Sequence, residues 1–354
     1  MPLELIVGPH NSGRAGAVLD RFTVALADDP LLVVPTTDDV ERFERELCER
    51  PGGGLGGTVT SMPGLFGEIA RACGAELGRP LTRVQRVWLC RAAARRLREG
   101  RGERRLRVLA RSAAASGFAT ALESLLSELQ AGGLASADFA ALVEESANSP
   151  EGAAIGPYER ELAALFAAYE SERDALGARD EHANAAATVD ALRARPDAWA
   201  GRPVLLYGFD DLSRQQVELL AALASACRVT VAVAWEPRSA LDARSRLIGV
   251  LRDELGGEVI AELRPDSSHT GSAALFHIER NLFERAAEGV EADGSLELYA
   301  GAGERGEAEL IGRRIAALLA AGADPDGIAV AVRSPDRQAP LLARVLGSLG
   351  VPVA

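Results

Sequence analysis

Residues 3–28, LELIVGPHNSGRAGAVLDRFTVALAD, decide how the rest of the chain is read. LELIVG has the unbroken apolar character of a buried strand, and GPHNSG the small residues of a tight turn. RAGAVLDRFTVALAD carries Val18, Leu19, Phe22 and Leu26 at helical spacing. A glycine turn between strand and helix is the frame of a phosphate loop, in which helix-start amides hold anions. Such a loop uses a Lys to reach terminal phosphates and a Ser or Thr hydroxyl for Mg²⁺. Here those positions are Arg14 and Ala15. Gly8, Ser12 and Gly13 keep the turn, while Arg14 keeps the charge as a broad planar fork instead of a compact ammonium. On the loop alone, a nucleotide site, a decayed one and a plain connecting turn all remain open.

Outward from the loop, PLLVVPT (30–36) predicts a second strand and DDVERFERELCER a charged amphipathic helix. PGGGLGG (51–57) predicts a flexible loop, TVTSM (58–62) a third strand, and PGLFGEIARAC a helix. Alternating short strands and helices predict an α/β fold with a parallel sheet. Strand-like runs then vanish, and LTRVQRVWLCRAAARRL, FATALESLLSELQ and YERELAALFAAYESERDAL keep a helical period, which predicts an all-helical insertion. Strand, turn, helix and strand return in RPVLLYGFDDLSRQQVELLAALASACRVTVAVAWEP (202–237), followed by a loop-rich stretch to about 290. LELYAG, GIAVAVRS and VPVA predict further strands around the helices ERGEAELIGRRIAALLAAG and DRQAPLLARVLGSLG. The expected domains are a discontinuous RecA-like domain of residues 1–78 and 196–288, a helical insertion at 79–195, and the start of a second RecA-like domain at 289–354. VPVA has the look of a strand entering a sheet, so the chain is expected to be a piece of a longer protein.

The composition suits a soluble globular protein of 354 residues, 47% hydrophobic and 25% charged. No apolar run approaches a membrane span and no secretory signal opens the chain, so a cytoplasmic protein without a membrane partner is expected. Cys48, Cys73, Cys90 and Cys227 are too scattered for a zinc site or a disulfide framework, and no metal site is expected. The net charge of −12 would repel a polyanion if evenly spread, yet RAAARRLREGRGERRLRVLARS (91–112) holds nine arginines against two glutamates. That stretch reads either as phosphate contacts or as a solvated helix face with local ion pairs. Trp88, Trp199 and Trp235 could stack bases, although scattered tryptophans are usually core. All 39 basic residues other than His are Arg, so an Arg at position 14 also fits a general drift from Lys.

LLYGFDDLSRQQVELL is the second informative stretch. It resembles motif II of superfamily 1 helicases, with Phe209, Asp211, Ser213 and Gln216 where that pattern has Phe, Asp, Asn and Gln. The carboxylate pair that would hold Mg²⁺ and orient the attacking water falls on Tyr207 and Gly208, which can do neither. Asp210 and Asp211 have the look of a metal pair, but Asp211 reads better as the cap of the next helix.

Together with LLVVPTTDDVERFERELCER, TVTSMPGLFGEIAR and GERGEAELIGRRIAALLAAGADPDGIAVAVRSPDRQAPLLARVLGSLGVPV, these stretches resemble, in order, the helicase-like half of AddB/RexB proteins. Those are components of AddAB-type helicase–nucleases that process broken DNA ends for recombination. YERELAALFAAYESERDALGARDEHANAAATVDAL resembles the helical segment before motif II in that family. The resemblance implies a RecA-like motor fold, with no catalytic residue in this chain and ATP and Mg²⁺ binding lost. It also implies a nuclease domain and an iron–sulfur cluster only in the family's C-terminal part. Implied partners are single-stranded or end-processed DNA and an active AddA-type helicase–nuclease. Residual anion contacts would fall on Gly8, Ser12, Gly13, Arg14 and Arg333, and DNA-backbone contacts on Thr36, Thr60 and Ser61. The alternatives are a live NTPase with Arg14 replacing Lys, and a docking module that never touches DNA.

Overall fold

The computed structural model describes residues 3–50, 56–100, 105–147, 156–351 and 353. Most of the PGGGLGG loop, residues 101–104 of the basic stretch, and two residues of VPVA lie outside these. The chain divides into two compact units, Met1–Asp266 and Ser267–Ala354.

The first unit is built on a six-stranded sheet. Its strands are β1 (Leu3–Gly8), β2 (Leu31–Val34), β3 (Thr58–Ser61), β6 (Val204–Tyr207), β7 (Val229–Ala234) and β8 (Glu258–Glu262), in spatial order β3-β2-β6-β7-β1-β8. Every pairing is parallel. Parallel neighbours need crossovers, and these come from helices α1 (Arg14–Val24), α2 (Thr37–Glu49), α3 (Met62–Cys73), α9 (Arg214–Ala226) and α10 (Asp242–Gly249). Successive strand residues face opposite sides, which creates two cores. Leu3, Leu5 and Val7 pack with α3, α9 and α10, whereas Ile6 joins Val18, Leu19 and Phe22 of α1 and Phe43 and Leu47 of α2. Connections after β1 and β2 therefore cover one face and those after β6 and β7 the other. This arrangement opens crevices at the carboxyl ends of those strands.

Between β3 and β6 the chain forms α4 (Arg83–Glu99), α5 (Phe118–Ala131), α6 (Ser136–Ala147), α7 (Pro157–Ala175) and α8 (Glu181–Ala194). Two-residue strands β4 (Arg79–Pro80) and β5 (Ala178–Arg179) pair at the base of this excursion. Faces of α4, α5 and α7 enclose a separate core that includes Leu89, Leu97, Leu122, Leu126 and Phe166. By contrast, Val189 and Leu192 of α8 join the sheet's own core beside Trp199. The excursion is held by buried charge as well as by apolar packing. Asp180 is fully buried and accepts from the Ala183 amide at 2.8 Å, Gln130 Nε2 at 2.9 Å and Arg173 Nη1 at 3.0 Å. Burial opposes its charge, but those donors outweigh burial and hold its pKa below the ordinary value.

The stretch expected to be loop-rich contains α10, a π-helical turn (Val250–Glu254) and the edge strand β8. In the second unit, α11 (Ala273–Asn281), α12 (Gly303–Ala320) and α13 (Pro335–Ser348) form. LELYAG and GIAVAVRS do not become strands, nor does Val351, contrary to expectation. An extended segment is a strand only when a neighbour takes its ladder hydrogen bonds, and neither segment pairs with another among the described residues. No helix among the described residues is long and apolar enough to cross a membrane.

Candidate functional site

The carboxyl ends of β1 and β6 lie on the same edge of the sheet. β1 and β6 both flank β7, with Gly8 opposite Ala234 and Tyr207 opposite Ala232. Two strand spacings, about 10 Å, separate β1 from β6. Arg244, near the start of α10, bridges their loops over this edge. One of its guanidinium nitrogens lies 3.0 Å from His10 Nε2 and donates to Ala234 O at 3.1 Å. The other forms a 2.6 Å ion pair with Asp210. No sequence pattern marks Arg244.

The glycine loop itself is tightly folded. Gly13, the residue before α1, has φ +79°, a left-handed conformation that glycine adopts without strain. A Cβ on Gly8 would come within 2.7 Å of Ser12 Oγ and 2.9 Å of Leu263 Cβ, so close packing demands glycine there. The Ser12 hydroxyl donates to Pro9 O at 2.8 Å, which turns it back into its own loop.

Arg14 does not reach outward. It is buried, its Nε–H donates to Pro9 O at 3.2 Å, and its guanidinium carbon sits 5.9 Å from the centre of the Tyr207 ring. Burial lowers its pKa first and nearby Arg244 lowers it further, while Tyr207 and Asp210 oppose the shift. Tyr207 in turn meets Phe43 of α2 edge-on at 5.2 Å. The basic residue of the loop and the first residue of the carboxylate pair are thus in contact, as a cation over an aromatic face.

Gly208, the second position of that pair, has φ +88°, and a Cβ there would meet Pro35 Cδ at 3.1 Å. A carboxylate side chain is sterically disfavoured on this backbone as well as absent from it. The residues present do not fit a magnesium–triphosphate: Ala15 and Gly208 offer no side-chain oxygen, and Tyr207 offers a phenol packed on Arg14 and Phe43. Among the described residues no group of three or more His, Cys, Asp or Glu is placed to hold a metal ion.

Other expected residues are placed as follows. Thr36 is the N-cap of α2, where Oγ1 accepts from the Asp39 amide at 3.1 Å and donates to Asp39 Oδ2 at 2.7 Å. Thr60 and Ser61 end β3, half-buried, and Ser61 pairs with Val34 of β2, so they share the sheet's carboxyl edge with the loop. Arg333 belongs to the second unit, exposed, just before α13. The helix-cap expectation for Asp211 is corrected. Its Oδ1 accepts from the neighbouring Leu212 amide, while Ser213 caps α9 and forms a reciprocal box with Gln216.

Two similarities to known proteins accompany this geometry. The chain is 26% identical, over an alignment of 387 residues, to the B component of the ATP-dependent helicase/deoxyribonuclease of Pelotomaculum thermopropionicum. That alignment takes in 100% of this chain and 32% of the relative, so the chain spans about a third of the relative's length. The model of the family described as "ADDB, N-terminal" matches residues 5–247, which include the glycine loop, the helical excursion and Tyr207–Gly208. The match covers more than half of the chain, over the parallel sheet and its helical excursion, and the chain belongs to the AddB N-terminal family.

Proposed function

We propose that this chain is a noncatalytic, helicase-like scaffold that holds DNA beside an active partner in a helicase–nuclease for repair of double-strand breaks by recombination. One observation carries the proposal: Arg14 lies over Tyr207, and Gly208 beside it has a left-handed backbone. Where a working motor would place a lysine, a metal-holding carboxylate and a water-orienting carboxylate, this edge has a stacked pair and a glycine. Loss of a general base alone costs about 10²–10⁴ in rate. On this view ATP and Mg²⁺ are not cofactors of this chain.

On this reading Thr36, Thr60 and Ser61 at the sheet edge are the DNA-backbone contacts, and Arg333 in the second unit keeps a residual anion contact. The partner is an AddA-type helicase–nuclease, and the setting is the cytoplasm. Residues 1–78 with 196–288 act as the motor-type lobe, 79–195 as an appended helical lobe, and 289–354 as the opening of a second lobe. The test is equilibrium binding of a labelled single-stranded oligonucleotide with and without Mg·ATP. The proposal expects salt-sensitive binding that ATP leaves unchanged. No binding at low salt would favour a docking module instead, and ATP-dependent affinity would favour a live NTPase.

A further inference from the structure

The six arginines of α4 fall into two sets. Arg83 and Arg86 pair with Glu123, at 3.2 and 2.8 Å, and Arg96 pairs with Glu172 at 2.9 Å. Arg91, Arg95 and Arg98 have no ion pair among the described residues, although the chain carries 51 acidic residues. These three line one groove of about 540 Å³ together with Trp88. Steps of three, four and three residues from 88 to 98 keep all four within about 80° of the helix circumference and along about 15 Å of its axis. Trp88 is 69% exposed, a costly place for the largest side chain, and the buried face of the same helix is already filled by Leu89, Cys90, Ala93, Ala94 and Leu97. The facing wall is the alanine-rich turn at 113–116 and the first turn of α5, and among the described residues no carboxylate lines the groove. Small side chains there leave room for a ligand, and the start of a helix adds positive potential.

We propose that this groove is a track for single-stranded nucleic acid, with the phosphates on Arg91, Arg95 and Arg98 and one base stacked on Trp88. The chemistry favours this occupant over the alternatives. A duplex keeps its bases stacked on each other and cannot offer one to Trp88, and an acidic peptide has no use for an exposed indole. Uncompensated cations next to a bare aromatic face are what a single strand requires. This inference rests on the DNA-holding role above, but it names a surface on the helical excursion, away from the sheet edge.

The experiment measures anisotropy of labelled oligothymidylate with the full 354-residue chain. Trp88→Ala is expected to weaken binding about 10-fold, whereas Trp88→Phe retains most of it. Replacing Arg91, Arg95 and Arg98 together by Ala is expected to lower the slope of log affinity against log salt by about 2. Trp88, Arg91 and Arg95 face solvent and Arg98 is half-exposed, so these variants should fold, and Trp88→Phe keeps the test valid if one does not. Unchanged affinity and slope in the variants would overturn the groove while leaving the scaffold reading intact. No binding by the wild-type chain would overturn both. Equal competition by polyglutamate would also overturn the proposal, because it would mark the groove as a dock for an acidic protein.

Discussion

Replacing Arg14 separates a structural pin from a surrogate catalytic lysine. Arg14→Ala removes the Nε–H bond to Pro9 O at 3.2 Å and the stacking over Tyr207 at 5.9 Å. The first is a charged but long hydrogen bond, about 1–1.5 kcal/mol, and the second, near the outer limit of such contacts, about 0.5–1 kcal/mol. Lost packing of the buried stem adds about 1 kcal/mol, and relief of Arg244 repulsion and desolvation returns part of the sum. The net expectation is a loss of about 2 kcal/mol, a fall in Tm of about 3–4 °C for a unit of this size. Arg14→Lys should not restore it, because an ammonium has neither the Nε–H at that place nor a planar face. Far-UV circular dichroism melts with and without Mg·ATP provide the assay. A ligand at 100 times its Kd would stabilise the fold by about 2.7 kcal/mol, and no such shift is expected in any of the three proteins. Arg14→Lys as stable as wild type, together with an ATP-dependent rise in Tm, would refute the account.

Four other outcomes follow from the structure. Asp180→Asn leaves Arg173 without its buried partner and should cost about 3 kcal/mol in urea unfolding. Asp180 and Glu123 are both held below the ordinary carboxylate value, Glu123 because Arg86 and Arg83 outweigh its burial. Their stabilisation is therefore complete above about pH 5 and is lost as pH falls through the depressed values, which urea midpoints against pH would reveal. Gly208→Ala should lose about 1–2 kcal/mol, since φ +88° and Pro35 at 3.1 Å both disfavour a Cβ; an unchanged urea midpoint would contradict the assigned backbone. Of the cysteines only Cys48 is exposed, and burial pushes the Cys90 and Cys227 thiols up to about 12. Thiol titration should accordingly count one fast-reacting group in the native protein and four after denaturation.

The central strands were legible because parallel strands covered on both faces read as unbroken apolar runs, as LLVV and VTVAVA do. β8 was not, because EVIAE is short, sits at the sheet edge and carries a glutamate at each end. The strands expected in the second unit have the right composition, but pairing depends on a neighbour that composition does not reveal. At the site, the residue types at positions 14, 15, 207 and 208 were legible as departures from a nucleotide-binding pattern. That Arg14 rests on Tyr207 could not be read, since the contact joins two strand ends brought together only by the sheet order. Arg244 was invisible for the same reason. The cap of α9 was readable in SRQQ, where Ser213 stands three residues before Gln216, but the neighbouring Asp211 competed as an equally good capping type.

The most direct test of the central claim is ATP turnover by the purified chain, measured with Mg²⁺ and saturating single-stranded DNA. The account expects no release of phosphate above background, and none after Tyr207→Asp with Arg14→Lys, because Ala15 and the left-handed Gly208 still lack the remaining oxygens. DNA-stimulated hydrolysis by the wild-type chain that disappears in Arg14→Ala would contradict it.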